Sequence, residues 1–215
     1  MALLRTTRLT PERWQNLLEA LGGRRNAVPT QFSRLRAAYC EPHRHYHDVC
    51  HLGRCLALLD ATPEAVPGAR APIEAALWFH DAVYRPGAPD NEFRSAEWAW
   101  RTLKQAGVPL PVCRQIARLI LATRNHLADD ADSALMVDID LAILGAPPAL
   151  YAEFERTVRR EHPTVPEALF RAGRANVLNG FLQRPRIYQT RYYRLRLESR
   201  ARSNLAQAIA ALEEE

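Results

Sequence analysis

Several common architectures need features that this chain lacks. None of its segments reaches the roughly 20 consecutive apolar residues of a membrane-spanning helix. The opening Met1-Ala2-Leu3-Leu4-Arg5-Thr6-Thr7-Arg8 carries too short an apolar stretch for a signal peptide. A cytoplasmic location with no membrane partner is therefore expected. Its four cysteines, Cys40, Cys50, Cys55 and Cys113, show no CxxC spacing and fall in predicted helices. They read as small buried apolar residues rather than disulfides or zinc ligands. A glycine-rich phosphate loop, a Ser/His/Asp nucleophile arrangement and a fixed-period repeat are also missing. Lysine is nearly absent, Lys104 being the only one, so the net charge of +5 is carried by arginine. Arginine is the better bidentate partner for phosphate, which admits anionic ligands, although a solvated surface accounts for the same excess.

What is present fits an ordinary globular chain of 215 residues with 47% hydrophobic and 25% charged residues. That length supports one domain, 1–215, with a core over about 30–183 and C-terminal helices 186–213 packed on it. Alternating runs of strand length do not occur, so the fold class is all-α. Thr10-Pro11 opens a first helix and Gly22-Gly23 closes it. A second begins at Thr30 and stops at Pro42. A third carries Val49, Leu52, Leu56 and Leu59 at helical spacing, with His47 and His51 on one face. After the Pro63–Pro72 loop comes the helix bearing His80 and Asp81. Asp90 caps another that ends at Gly107, and Pro109 and Pro111 start one that reaches Thr123. Further helices span Asp130–Gly145, Pro148 to His162, Pro166 to about Leu182, and roughly Arg191 to Glu213.

The chemistry centres on Leu77-Trp78-Phe79-His80-Asp81-Ala82-Val83-Tyr84. Ionisable groups in an apolar run are costly unless paired, hydrogen-bonded or bound to metal. Partners are at hand in His43, His45, His47 and His51 upstream and in Asp138 and Asp140 downstream. His51, His80, Asp81 and one of the two later aspartates make a mixed nitrogen and oxygen ligand set. Such a set suits Mn, Mg, Fe, Co, Ni or Zn without choosing among them. Adjacent helical residues diverge by about 100°, so His80 and Asp81 share an ion only if it lies between them. Asp138 and Asp140 point to nearly opposite sides of a helix, so one ligates while the other caps, pairs with an arginine or stays solvated.

In their order these blocks resemble the HD superfamily of metal-dependent phosphohydrolases, and within it a bacterial branch of predicted HD phosphohydrolases. The residues that carry the resemblance are Glu41 to His47 with His51, Leu77 to Tyr84, Asn91-Glu92 with Ser95-Ala96, Thr123 with His126, Asp138 to Leu141 with Leu144-Gly145, and Ile187-Tyr188 with Ala201 to Leu205. They cover most of the chain from about residue 30. The resemblance implies an HD-domain-like helical bundle and a divalent metal held by His51, His80, Asp81 and Asp140. Asp140 is preferred to Asp138 because a leucine follows it.

The resemblance also implies a metal-activated water that cleaves a phosphate ester of a small molecule, for which a nucleotide is one candidate. Tyr46-His47 is similar to the proton-donating pair of cyclic-nucleotide phosphodiesterases, although Asp48 stands where those enzymes carry asparagine. His47 is thus the general-acid candidate. Glu92 and His126 are candidates to orient a ligand or the water, against plain readings as helix surface and helix-end cap. Arg44 and Arg124 are candidates to clamp a phosphate, against a solvated-face reading. The C-terminal arginines Arg171, Arg174, Arg184, Arg186, Arg191, Arg194 and Arg196, interleaved with Tyr188, Tyr192 and Tyr193, suit a nucleotide or single-stranded nucleic acid. A helix surface over a buried aromatic stripe is the stronger reading, which makes a nucleic-acid partner the weaker alternative. The other alternative is a metal- and nucleotide-binding module without turnover. A homo-oligomer stays open.

Overall fold

The computed structural model describes residues 8–27, 29–65 and 68–214, and the opening residues weighed as a leader lie outside this set. The described residues form ten α-helices and no strand. These are α1 Pro11–Ala20, α2 Gln31–Ala38, α3 Val49–Ala61, α4 Arg70–Phe79 and α5 Asn91–Gln105. They continue with α6 Leu110–Ala122, α7 Ala131–Asp140, a 3-10 turn Leu141–Gly145, α8 Pro148–Arg160, α9 Glu167–Leu182 and α10 Arg191–Glu213. The all-α expectation is met. Among the described residues no single helix is long and apolar enough to cross a membrane, although α7 with its 3-10 turn and α8 would pass together as a pair bent by 103°.

The apolar residues of α4 explain the packing. Ile73, Ala75, Ala76, Leu77, Trp78 and Phe79 are all buried, so nearly every side of this helix is covered. A helix apolar all round belongs in the core, and α4 packs against α1, α3, α5, α6 and α7. Trp14 of α1 meets Trp78 and Phe79 edge-on, with ring centroids 5.7 and 5.8 Å away. The core therefore includes α1, upstream of the residue-30 boundary expected from sequence. Arg13 ties α1 down with bonds to Asp60 of α3 and Glu74 of α4.

Helices α3, α4 and α7 also pack on one another. Asp48 caps α3, its carboxylate accepting from the N–H groups of Cys50 and His51, so His51 sits in the first turn. His47 lies ahead of that cap and is not on the helix, which corrects the expected shared helical face. Its ring nonetheless stays near His51, at 5.9 Å between centroids. The helix expected over Asp130–Gly145 changes winding immediately after Asp140. There Gly145 has no room for a Cβ, which would meet the Cβ of Leu197 on α10 at 2.6 Å. Asp90 holds the cap position of α5 but its side chain makes no capping bond.

Candidate metal centre

His51, His80, Asp81 and Asp140 arrive from three helices whose ends meet. His80 closes α4, and Asp81 follows in the turn beyond it. The divergence expected for neighbours inside a helix therefore does not apply. His51 Nε2 lies 3.0 Å from His80 Nε2, 3.3 Å from Asp140 Oδ1 and 3.5 Å from Asp81 Oδ2. His80 Nε2 lies 3.0 Å from Asp81 Oδ2 and 3.5 Å from Asp140 Oδ1. Donors bound to one ion at about 2.1 Å lie roughly 3.0 Å apart in cis octahedral positions and roughly 3.4 Å apart at tetrahedral corners. The observed spread matches those edges, so the residues fit a divalent ion.

Two details prepare the set. His80 Nδ1 donates to the Leu77 carbonyl at 2.9 Å, which fixes the tautomer and leaves the Nε2 lone pair to face the cluster. His126 Nε2 reaches Asp140 Oδ2 at 3.1 Å, orienting the other carboxylate oxygen toward the histidines. His126 does this from a left-handed backbone, φ 51°, and Arg184 bonds the carbonyls of Asn125 and His126 on either side. Burial would lower the pKa of His80, but Asp81 and Asp140 outweigh it and hold that imidazole well above the ordinary value. Against the same burial, His80 pulls both carboxyls below theirs, with His47 and His51 acting on Asp81 and His126 and His51 on Asp140. His51 is lowered, chiefly by burial. The site thus demands positive charge at the point where the four groups converge, and either a proton on His80 or a cation supplies it.

Cys55 stands one turn beyond His51, with Sγ 3.7 Å from His51 Nε2. It belongs with His51, His80 and Asp140 to a buried group able to hold a metal ion. The buried-apolar reading of the cysteines thus misses its place at the centre. Asp81 Oδ2 lies slightly closer than Cys55 Sγ to His51 Nε2, at 3.5 Å, and 3.0 Å from His80 Nε2, so both residues are candidates for the fourth position. Cys40 is exposed and Cys50 half-buried, so that reading describes Cys113 but neither of these.

The site's second half rests on a residue absent from the sequence expectations. Glu161, at the end of α8, is buried, and its Oε1 accepts from the N–H groups of His45, Tyr46 and His47 at 2.8, 2.7 and 3.0 Å. Its Oε2 takes His47 Nδ1 at 2.7 Å and the Tyr84 hydroxyl at 2.8 Å. Against the opposing effect of burial, these donors bring its carboxyl down to about 2. Burial would also lower His47, but Glu161 raises it instead, helped by Asp81 and Asp140. The His47 ring stacks on Tyr84 at 4.2 Å and meets Tyr46 edge-on at 5.0 Å. Its Nε2 has no hydrogen-bond partner among the described residues, and the ring lines a cavity with Asp81, Tyr84, Glu92, His126 and Asp140. That cavity measures about 250 Å³. A second, of about 450 Å³, reaches His51, Cys55 and Asp140 from the other side of Tyr46 and is edged by Arg54 and Arg200.

The remaining candidates separate cleanly. Arg44 is neither a phosphate clamp nor a solvated residue: its guanidinium is fully buried. It donates to Glu41 and to the carbonyls of His47, Asp81 and Ala82, so it is already engaged with protein groups and unavailable to a ligand. Arg124 is exposed and does not line the cavity. Asp138 is the aspartate that caps: it accepts from Gln189 N, Thr190 N and the Thr190 hydroxyl. Burial nevertheless pushes it up to about 6. In the arginine-rich C-terminal third, Tyr188 and Tyr193 are buried and Arg174 pairs with Glu155 through two 2.8 Å bonds, in line with the aromatic-stripe reading. Compared with protein-family models, with curated proteins and with solved structures, the chain finds no match.

Proposed function

We propose that the protein is a divalent-metal-dependent phosphohydrolase of HD type, acting on a phosphate ester of a small molecule. The observation that carries this reading is the convergence of four nitrogen and oxygen donors at metal-ligand spacing beside a carboxylate-anchored histidine, with that histidine and the two aspartates of the set on one cavity. His51, His80, Asp81 and Asp140 would hold the ion. When bound there, a divalent ion lowers the pKa of a coordinated water and offsets charge on phosphoryl oxygens.

The chain's own groups do the rest. Glu161 keeps the His47 Nδ1 proton in place, which directs Nε2 away from the carboxylate as the proton donor to the leaving oxygen. Tyr84 and Tyr46 hold the ring's orientation by stacking and edge contact. His126 sets the rotation of Asp140. Glu92, half-buried on the cavity wall, is placed to orient a water.

Elemental analysis of the purified protein, followed by phosphatase and phosphodiesterase assays with each common divalent ion added back, tests the reading. Bound metal and phosphate release are expected, and both are lost in His80→Ala and Asp81→Ala proteins that keep the helical circular dichroism spectrum. Metal binding without turnover on any ester would replace the enzyme by a binding module.

A further inference from the structure

The 250 Å³ cavity has two unlike walls. One is the ligand and proton-transfer side already described. The other, built by α8, α9 and the 3-10 turn, presents Leu144, Phe154, Val158, Val177, Leu178 and Phe181. Val177 is 49% exposed, so the apolar surface continues out to the mouth.

The charges facing this space are few. Its carboxylates are Asp81, Glu92 and Asp140, and its cationic or titratable bases are His47, His126, His162 and Arg174. Arg174 is paired through Nε and Nη2 with the two oxygens of Glu155 and lies over the Phe154 ring at 5.2 Å. Its charge is therefore already offset by Glu155. Lys104, the chain's only lysine, is exposed on α5 and does not reach the cavity. A divalent ion at the centre would offset Asp81 and Asp140, so its open coordination positions and the His47 proton are what this cavity offers one phosphoryl group. Every further phosphate would be desolvated beside Glu92 and an apolar wall with no cation to meet it, and an unpaired buried charge is strongly disfavoured. The volume agrees, since cavities that bury drug-sized ligands start at roughly 300 Å³.

We infer that the substrate is a compact phosphomonoester, a single phosphoryl group on an uncharged apolar or aromatic body, and not a nucleoside di- or triphosphate. The inference rests on the phosphohydrolase reading for the position of the phosphoryl group, and on the opposite wall for the rest of the molecule. The phosphoryl group lies against the four ligands and His47. The body lies against Phe154, Val177 and Phe181, where burial of apolar surface favours it.

The test uses the metal-loaded protein with phenyl phosphate, AMP and ATP as substrates. Phenylphosphonate, which lacks the scissile oxygen, is titrated in parallel by calorimetry. The expected order of kcat/KM is phenyl phosphate above AMP, with ATP lowest, and phenylphosphonate binds without being displaced by ATP. Val177→Trp, which fills the apolar side from a half-exposed position, raises KM for phenyl phosphate about tenfold, the scale on which a pocket discriminates small apolar groups. Val177→Asp moves KM the same way by placing a charge there. Preference for ATP, or Val177 variants with unaltered KM, overturns the compact monoester while leaving the hydrolase standing. Phenylphosphonate binding with no ester cleaved overturns the hydrolase and keeps the ligand class. Neither binding nor cleavage overturns both.

Discussion

Replacing Glu161 by glutamine keeps the side chain's shape and removes its charge. In the folded protein the carboxylate receives five donors, three from the backbone of the 45–47 turn, one from His47 Nδ1 and one from the Tyr84 hydroxyl. A glutamine oxygen can keep the three backbone bonds. Its amide nitrogen then faces His47 and Tyr84, so the charge-assisted bond to the imidazole is lost. The drop of the Glu161 carboxyl from 4.5 to about 2 corresponds to about 3 kcal/mol of preference for the ionised form. A depressed carboxyl stabilises the fold above its unfolded value and loses that contribution as pH falls toward its folded value. Urea unfolding should therefore show Glu161→Gln weaker than wild type by about 3 kcal/mol at pH 7 and by about 1 kcal/mol at pH 3.

The same substitution removes what holds His47 raised. Its ring titration, followed by NMR, should fall toward or below the usual histidine value of about 6.5. A general acid that must be protonated works below its pKa. The alkaline limb of the kcat/KM profile should thus move to lower pH in the variant. Equal stability of the two proteins at pH 7, a gap unchanged at pH 3, or a His47 titration that does not move would each refute the reasoning.

Arg44→Ala should cost about 1–3 kcal/mol, the scale for leaving buried polar groups without a hydrogen-bond partner. It leaves the carbonyls of His47, Asp81 and Ala82 without the donor seen in the structure, and thermal melting checks it. Cys55→Ser separates the two candidate fourth ligands. With Asp81 as the ligand, metal content by elemental analysis stays at the wild-type level, whereas Asp81→Ala protein is metal-free. A saturating divalent ion at about 100 times its Kd should stabilise wild type by about 2.7 kcal/mol in denaturant unfolding, and His80→Ala protein by far less.

The last helix was legible as roughly Arg191 to Glu213 because Arg184-Pro185-Arg186 interrupts the pattern before it, and the structure adds Thr190 as its cap. The core role of α4 followed from an apolar run with no polar stripe. The break after Asp140 left no trace, since Leu141 to Leu144 continue the apolar pattern of α7 and only the close approach of Leu197 to Gly145 reveals the tighter winding. His47 looked helical because Asp48 resembles any polar residue in a histidine-rich stretch until its carboxylate is seen capping α3. Of the site, the His80-Asp81 doublet was legible from its apolar surroundings, and Cys55 was one turn from His51 yet set aside on spacing between cysteines. Glu161 carried no local signal: its partner His47 lies 114 residues away, and nothing in the Glu161-His162-Pro163 neighbourhood marks a carboxylate as buried.

The junction of α7 with the C-terminal helix bears on how the molecule is made. Thr190, at the head of α10, donates to Asp138, Asn204 further along it bonds the carbonyls of Leu144 and Ala146, and between them the helix leans on Gly145. A chain emerging from the ribosome presents both imidazoles well before α10, which braces the end of α7 that carries Asp140. Ion capture should accordingly be the closing event of maturation, and nascent fragments that stop short of α10 should stay inert however much metal surrounds them.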